Sequence, residues 1–324
     1  MRIVGHQTSD AAPPPFAGVE LGGTKCVCTL AYGPDRIVDQ CTIHTTGPDE
    51  TRDAIRAVLR QWHGDHGLRG IGIASFGPVC LDPADPRYGS ILATNKPGWR
   101  DTDVIGVATE FGVPVGFDTD VNAAALAEIR WGSGRGLRDF AYVTVGTGIG
   151  VGLIVHGQPT RGIGHSEIGH IRVPRLPGDH VASACRYHDD CVEGLASGSA
   201  LVVRLGGRDA AGLSADDPVW DPMIAALAAM CHALVATTGP WRIAIGGGVF
   251  ERQPHLHARV QAALIASLAG YIDIPTDRPF VTAPALGQLT GPLGSIALAE
   301  TAWAVADAPD TARTDAPILL HQNG

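Results

Sequence analysis

The 324-residue chain lacks the features that mark several classes of protein. It has no run of Lys and Arg residues, and its formal net charge is -9. It therefore offers no clustered basic surface of the kind that nucleic acid or an anionic membrane attracts. It also has no charged-then-apolar signal segment at its start and no run of 18 consecutive apolar residues. These absences predict a cytoplasmic protein with neither nucleic-acid nor membrane partners.

A disulfide framework is also missing. The chain has 7 cysteines, an odd number at irregular spacing, which does not resemble the paired pattern of a disulfide-stapled fold. In a reducing cytoplasm, Cys and His residues that lie close together are more often metal ligands than disulfide partners. The cysteine pattern therefore directs attention to metal sites.

The chain does contain enough apolar residues, 45% of the total, to bury a large core. Apolar runs alternate with segments of helical periodicity, which predicts an α/β fold, and the length suggests about two domains. Helices are expected at 50–67, 121–132, 251–270 and 290–307. The polar stretch 1–16 is predicted to be a disordered leader, and 307–324 a flexible tail.

Glycines cluster at two similar turns. Gly22-Gly23-Thr24-Lys25 and Gly146-Thr147-Gly148-Ile149-Gly150 each join two apolar β-runs. A dinucleotide fingerprint needs a strand followed by a helix, so neither turn is one. Successive N–H groups in such turns can converge on a phosphate, with the Thr24 hydroxyl and the Lys25 charge assisting, although each alone could be an ordinary hairpin. The repeat predicts two related lobes that face a cleft.

A third glycine cluster, Gly246-Gly247-Gly248, ends an apolar run that leads into a helical segment. The start of a helix attracts anions, and three glycines leave room for a flat nucleotide base. We therefore interpret this junction as part of a nucleotide pocket.

Two carboxylates, Asp118 and Asp120, precede the predicted helix at 121–132. Such residues commonly cap a helix, which is the simpler interpretation of each alone. Asp120, however, would lie at a strand end opposite the glycine turns, where a carboxylate could take the proton of an attacking hydroxyl. Farther along, Glu167, His170 and Glu193 suit sugar hydroxyls, although each alone could be a solvated surface group.

The segment from His170 to Cys191 carries a Cys185-x2-His188-x2-Cys191 pattern. Structural zinc sites take four Cys or His ligands at short spacings, and this pattern supplies three. His170 is the nearest candidate for the fourth, and His180 is its competitor. Cys26 and Cys28, by contrast, lie on an apolar run and are interpreted as core residues.

These motifs together resemble those of the ROK family of bacterial sugar kinases. The resemblance covers about 18–307 and rests on seven stretches in order: GVELGGTK, ASFGPV, FDTDVNAAALAE, VTVGTGIGVG, HSEIGH, CRYHDDCVEGLASG and AIGGGVF. Glu20, ASFGP, Lys96-Pro97-Gly98-Trp99 and the Cys/His pattern make the chain most similar to the zinc-containing fructokinases. Thr119 and Asn95 depart from the pattern, which more often has Asn and Pro there.

The resemblance implies an actin-like, ribonuclease-H-type fold of two α/β lobes with a cleft. The lobes would span 17–120, completed by the helix at 290–306, and 121–289, which contains the zinc loop 170–191. It also implies ATP, Mg²⁺ and structural Zn²⁺, a homodimer, and phosphorylation of fructose to fructose 6-phosphate. The alternatives are a kinase for glucose, mannose or N-acetylmannosamine, or a sugar-sensing regulator without catalysis.

The same resemblance implies roles for particular residues. Asp120 would be the general base, and Glu20 would hold Mg²⁺ through water. Glycine turns would bind ATP through Gly22, Gly23, Thr24, Lys25, Gly146, Thr147, Gly148, Gly246, Gly247 and Gly248. Sugar contacts would come from Lys96, Asn122, Glu167, His170 and Glu193. Zinc would be held by His170, Cys185, His188 and Cys191.

Overall fold

The computed structural model describes residues 13–308. Its strands are β1 (Phe16–Leu21), β2 (Lys25–Gly33), β3 (Arg36–His44), β4 (Ile71–Ser75), β5 (Ser90–Ile91), β6 (Thr102–Asp103), β7 (Val115–Thr119), β8 (Phe140–Val145), β9 (Ile149–Val155), β10 (Gln158–Pro159), β11 (Ile243–Gly246) and β12 (Val281–Thr282). Its α-helices are α1 (Pro48–His66), α2 (Asp120–Trp131), α3 (Val192–Ala196), α4 (Gly198–Leu205), α5 (Trp220–Thr237), α6 (Gly248–Arg252), α7 (Leu256–Leu268) and α8 (Thr290–Asp307).

Two five-stranded sheets share one plan. The first has the order β3-β2-β1-β4-β7, and the second has the order β10-β9-β8-β11-β12. In each, a central hairpin is antiparallel (β1–β2 or β8–β9), and the strands on its other side pair in parallel. The predicted glycine turns join these two equivalent hairpins. The structure therefore has two related α/β lobes, each built around one glycine turn.

Helix α8 lies against the first sheet because that sheet presents glycines to it. A side chain at Gly18, Gly72 or Gly116 would collide with atoms of Ser295 or Leu298 in α8. Three adjacent strands thus offer a smooth surface on which the C-terminal helix completes the first lobe. Helix α2 packs against α8 on one side and against β8 and β9 on the other. The predicted lobe boundary at residue 120 falls at the start of this shared helix.

A buried carboxylate fastens α2 to the segment that leads into α8. Glu128 is fully buried, and its Oε1 accepts hydrogen bonds from Leu286 N and Thr290 Oγ1, both at 3.0 Å. Its Oε2 accepts from Ala285 N at 3.0 Å and from Ser133 N at 2.7 Å. Both carboxylate oxygens therefore accept hydrogen bonds from the protein, as buried polar groups in folded proteins do.

Within residues 13–308, one helix, α5, is apolar enough and, at 18 residues, long enough to cross a membrane by length and composition. Of this helix, 56% is buried inside the protein. Met223, Leu227 and Leu234 belong to the core cluster of the second lobe, and the helix packs against α3 and α7. The apolar residues of α5 therefore pack in the core of the second lobe.

Three sequence-based bounds need correction or qualification. Phe16 is buried in β1 beside Trp303, so the predicted leader 1–16 extends into the sheet; its residues 1–12 lie outside the described part. The helix expected at 251–270 is two helices, α6 and α7, because Pro254 cannot donate the backbone bond that a continuous helix needs. The predicted tail 307–324 begins inside α8, and 309–324 lie outside the description.

Candidate active site

A cavity of about 720 Å³ opens between the two lobes. From the first lobe it is lined by residues 76–78 and 93–95, and from the second by residues 146–151, 165–167 and 193. The start of α2, with Thr119 and Asp120, forms the wall between them. The cavity is large enough for a small organic substrate, and its polar groups converge from several elements.

Asp120 occupies the first position of α2 and lines the cavity. The helix is capped by Thr119, whose Oγ1 accepts from Asn122 N at 3.1 Å, so neither carboxylate serves as the cap. The Asp120 carboxylate accepts from Val121 N at 2.9 Å. Burial, assisted by the charge of Asp118, raises the pKa of Asp120 from 3.8 to about 6. A carboxylate with this pKa accepts a proton more readily than an ordinary aspartate does.

Asp118 instead has a structural position. It is fully buried, pairs with Arg161, and accepts from Asn122 Nδ2 at 2.8 Å. Asn122 Oδ1 accepts in turn from Leu153 N at 3.3 Å, and Asn122 is only 1% exposed. Both the amide nitrogen and the amide oxygen of Asn122 thus have partners inside the protein, so the sugar contact predicted for it stays a prediction that these bonds do not support. Sequence reasoning missed Arg161, since nothing local to the chain marks it as the partner of Asp118.

Lys96 is also used differently from the prediction. Its Nζ donates to the backbone oxygens of Gly23 at 2.6 Å and Thr45 at 3.2 Å. Lys96 therefore fastens its loop to the β1–β2 turn and does not line the cavity, so the sugar contact predicted for it stays a prediction that this geometry does not support. Its neighbours Thr94 and Asn95 do line the cavity.

The other three residues predicted to contact sugar, Glu167, His170 and Glu193, all line the cavity. Glu193 Oε2 accepts from Ile149 N at 3.0 Å, which fixes the carboxylate beneath the β8–β9 turn. Burial, with the charges of Glu193 and Asp120, raises the pKa of Glu167 to about 7. Three acidic groups thus surround one space, where each can accept a hydroxyl proton in a hydrogen bond.

His165 lines the same cavity, although the sequence reading did not single it out. Its Nε2 lies 3.1 Å from Val79 N and accepts that N–H, so the proton of a neutral imidazole is on Nδ1. Nδ1 is 3.4 Å from Glu167 Oε1. His165 therefore connects the first lobe to the Glu167 carboxylate. Its position within HSEIGH, two residues before Glu167, was the available signal.

The two glycine turns differ in their relation to the cavity. Gly146, Thr147 and Gly148 line it, and Gly146 N donates to Gly148 O at 3.0 Å. Residues 22–25 lie outside that lining, in a turn that closes through Gly22 N and Lys25 O at 3.0 Å. Gly23 and Thr24 are exposed, although their carbonyl oxygens already accept from Lys96 Nζ at 2.6 Å and from Thr45 N at 3.0 Å.

Glu20 lies on β1, next to the first turn. Burial raises its pKa to about 7, the Asp120 charge adds to the rise, and Lys25 opposes it. Gly291 at the start of α8 leaves the space that the Glu20 carboxylate fills. Glu20 and Asp120 thus bring two carboxylates to one region, and carboxylate oxygens are the ligands that Mg²⁺ prefers.

The third glycine cluster forms the junction between β11 and α6. Gly247 has φ of 87°, which favours glycine, and a Cβ there would lie 2.7 Å from backbone atoms of Val145. Gly248 begins α6, as the sequence predicts for a strand-to-helix junction. The backbone can therefore pass close to β8, where a side chain would push the two strands apart.

The Cys/His pattern forms one compact cluster. One ligand atom from each of His170, Cys185, His188 and Cys191 lies within 4.8 Å of all the others. Cys185 Sγ is 3.7 Å from His170 Nδ1 and 3.8 Å from His188 Nδ1. The tertiary structure selects His170 over His180 as the fourth member.

Backbone groups support this cluster. Tyr187 N and Gly194 N each lie 3.4 Å from a cysteine sulfur, Cys185 Sγ and Cys191 Sγ respectively, and donate to it. Cys191 also caps α3, which carries Glu193 in its first turn. The cluster and the cavity wall are therefore one continuous piece of chain. Cys26 and Cys28 are fully buried core residues, as expected.

Comparison with known proteins finds relatives that match nearly the whole chain. A fructokinase of Pediococcus pentosaceus is 38% identical over 290 residues, which cover 89% of this chain and 98% of that protein. A fructokinase of Zymomonas mobilis is 39% identical and covers 88% of this chain and 96% of that protein.

Among solved structures, the ROK family glucokinase of Streptomyces griseus, in complex with glucose and AMPPNP, superimposes with a TM-score of 0.70. It is 26% identical and covers 89% of this chain and 99% of that one. The predicted two-lobed actin-like ATPase fold is thereby confirmed. The sequence profile of the ROK family matches residues 16–302, so the chain belongs to the ROK family.

Proposed function

We propose that the protein is an ATP-dependent fructokinase that converts fructose to fructose 6-phosphate. The observation that carries the proposal is the Asp120 carboxylate, which lines the interlobe cavity and has a pKa of about 6. A base with this pKa is ionised at neutral pH and still accepts a proton effectively. The choice of fructose rests on the relatives named fructokinase, which match nearly the whole chain.

In the proposed reaction, the O6 hydroxyl of fructose attacks the γ-phosphorus of ATP. A new O6–P bond forms while the bond from the γ-phosphorus to the β–γ bridging oxygen breaks, and ADP leaves. The hydroxyl proton passes to a carboxylate oxygen of Asp120. Phosphoryl transfer of this kind depends chiefly on positioning and on stabilising charge at the phosphoryl oxygens.

The two glycine turns are proposed to hold the phosphates of ATP. Gly22–Lys25 offers exposed backbone groups and the Lys25 charge, and Gly146–Gly148 offers the backbone of the opposite lobe. Gly246–Gly248 would lie beside the nucleotide base, since the absence of side chains leaves room for it. Glu20 would hold Mg²⁺ through water, and the ion would supply positive charge beside the phosphates.

The sugar is proposed to lie against Glu167, His170 and Glu193. Two carboxylates and an imidazole can distinguish the directions of neighbouring hydroxyl groups, because each has fixed acceptor or donor positions. The Glu193 carboxylate accepts from Ile149 N and is therefore oriented before the sugar arrives, and His165 Nδ1 lies 3.4 Å from Glu167 Oε1. Preorganised contacts of this kind place O6 within reach of the base.

The cluster of His170, Cys185, His188 and Cys191 fits a structural zinc ion. Tetrahedral zinc with ordinary Zn–S and Zn–N bonds separates S and N ligands by about 3.6 Å. The Cys185 Sγ–His170 Nδ1 distance of 3.7 Å agrees with this geometry, and the sulfurs accept backbone N–H groups. The ion would supply crosslinking, which fixes the His170 ring and the start of α3 next to the sugar.

The test is ADP release from Mg-ATP with fructose, mannose, glucose and N-acetylmannosamine, with Asp120→Asn as the control variant. Fructose should give the highest kcat/KM, and the variant should lose most of the turnover. A higher kcat/KM with another hexose would contradict the choice of fructose and leave the kinase assignment intact. No turnover with any sugar would contradict the enzyme assignment and favour a sugar-sensing role. Light scattering on the same sample tests the predicted homodimer.

A further inference from the structure

Asn95 stands where the resemblance to the fructokinases leads us to expect proline, and the structure gives this residue two partners in the other lobe. Its Oδ1 accepts from Arg186 Nη1 at 3.0 Å and from Tyr187 Oη at 3.1 Å. Asn95 belongs to the first lobe, between β5 and β6, whereas both donors belong to the second. A proline side chain has no acceptor and could form neither bond.

Both donors lie inside the metal-binding cluster, between Cys185 and His188. Tyr187 N donates to Cys185 Sγ at 3.4 Å, and the Arg186 guanidinium lies 5.3 Å from the centre of the Tyr187 ring. The position of these two side chains therefore depends on the loop that the cluster holds together. A loop of this length has little apolar packing of its own, since Tyr187 is 62% exposed.

The contact also lies at the substrate cavity. Asn95 and Tyr187 both line it, one from each lobe. The residue after Asn95, Lys96, donates to Gly23 O and Thr45 O and so fastens the same loop to the β1–β2 turn. One short loop thus connects the metal cluster to the turn proposed to hold phosphate.

We propose that Asn95 is a positioning residue that closes the rim of the sugar pocket by binding Arg186 and Tyr187 across the cleft. Through this contact, which we call the Asn95 clasp, the metal-held loop sets how tightly the lobes close over the sugar. The inference rests on the proposed sugar-kinase function and deepens it. Asn95 touches neither the metal ligands nor the reacting atoms in this role, so its effect falls on sugar affinity.

The kinetic test uses Asn95→Ala, which removes both hydrogen bonds. With two exposed or partly exposed bonds lost, the KM for fructose should rise about 5- to 30-fold, while kcat and the KM for ATP change little. Asn95→Asp keeps the acceptor and should stay near the wild-type KM. Tyr187→Phe removes one bond and should give a smaller rise. Tyr271→Phe, at a tyrosine that is 92% exposed, is the matched control and should change nothing.

A double-variant comparison separates the clasp from general loosening. Tyr187→Phe should add nothing to the KM of Asn95→Ala, because the bond it removes is already gone. Zinc content should remain equal in all these variants. An Asn95→Ala protein whose fructose KM stays within about twofold of wild type, the expected scatter for a contact of no energetic value, would overturn the proposal.

Hydrogen–deuterium exchange of the sugar-free protein gives a readout that does not depend on the substrate. Asn95→Ala should speed exchange in peptides covering 92–98 and 184–189. Metal removal should speed exchange at 92–98 in the wild type, whereas in Asn95→Ala it should cause no additional increase there. Unchanged exchange in Asn95→Ala would refute the clasp even if the protein phosphorylates fructose. Faster exchange without turnover on any sugar would support the clasp and contradict the proposed function.

Discussion

Replacing Asp120 by Asn tests the proposed chemistry and the electrostatics of the site together. The substitution keeps the size of the side chain, and the amide oxygen can still accept the Val121 N–H that now binds the carboxylate. Thr119 caps α2 in either protein, so the helix should begin at the same residue. What disappears is the negative charge and the ability to accept a proton.

Activity and stability should change in opposite directions. Loss of a general base costs about 10²–10⁴-fold in kcat. The pKa of Asp120 is raised on folding from 3.8 to about 6, so the protonated form is favoured in the folded protein. That contribution to stability is complete below about pH 4 and is lost as pH rises through about 6. Asp120→Asn should therefore be more stable than wild type at pH 8, by up to about 3 kcal/mol for a shift of about two units.

Urea unfolding at several pH values measures the change in stability, and ADP release measures the loss of activity. The stability advantage of the variant should decrease between pH 6 and pH 4, where the wild-type carboxyl becomes protonated. In the wild type, kcat/KM should fall about tenfold per pH unit below about pH 6, as expected for a base that must be ionised. Near-full turnover of the variant would refute the base assignment. Equal stability of the two proteins at pH 8 would refute the inferred burial of the charge.

Three further predictions follow from the tertiary contacts. Metal analysis of the wild-type protein should show about one zinc ion per chain, and Cys185→Ser should lose it, since a hydroxyl is a much poorer zinc ligand than a thiolate. Wild-type protein that is purified without chelator and contains no zinc would contradict the site. Glu128→Ala should lower the free energy of unfolding by about 3 kcal/mol or more, because it leaves several buried donors unpaired, and Glu128→Gln should lower it by less. An unchanged urea midpoint for Glu128→Ala would contradict the stabilising role of these hydrogen bonds. Gly247→Ala should lower the free energy of unfolding by about 1–3 kcal/mol, because alanine is strained at positive φ and its Cβ would contact Val145. Gly212→Ala is the control, since no atom lies within 4 Å of the added Cβ.

The glycine turns illustrate how local sequence was sufficient. A turn between two apolar β-runs can be identified as a hairpin because strand periodicity and glycine preference act over a few residues. Both predicted hairpins are present, as β1–β2 and β8–β9. The helix expected at 251–270 shows where apolar periodicity is insufficient, since the apolar pattern continues across Pro254 whereas the helix is interrupted there.

Asn122 and Lys96 show where local sequence was insufficient. Both lie in motifs that the resemblance connects with the sugar, and both side chains are used elsewhere, by Asp118 and Leu153 and by Gly23 and Thr45. The partners of Lys96 lie 73 and 51 residues away along the chain. No sequence spacing reports a contact over such separations, so the direction of a polar side chain was not predictable.

The sequence by itself determined the alternation of strands and helices, the two glycine hairpins and the Cys185-x2-His188-x2-Cys191 pattern, because these depend on residues within a few positions of one another. The tertiary structure alone decided that His170 joins that cluster, that Arg161 pairs with Asp118, and that Asn95 contacts Tyr187 across the cleft. It also decided the pKa of Asp120, since burial is a property of packed lobes and cannot be read from an isolated motif. Contacts between residues that are distant in the sequence form only when the two lobes have folded and packed together.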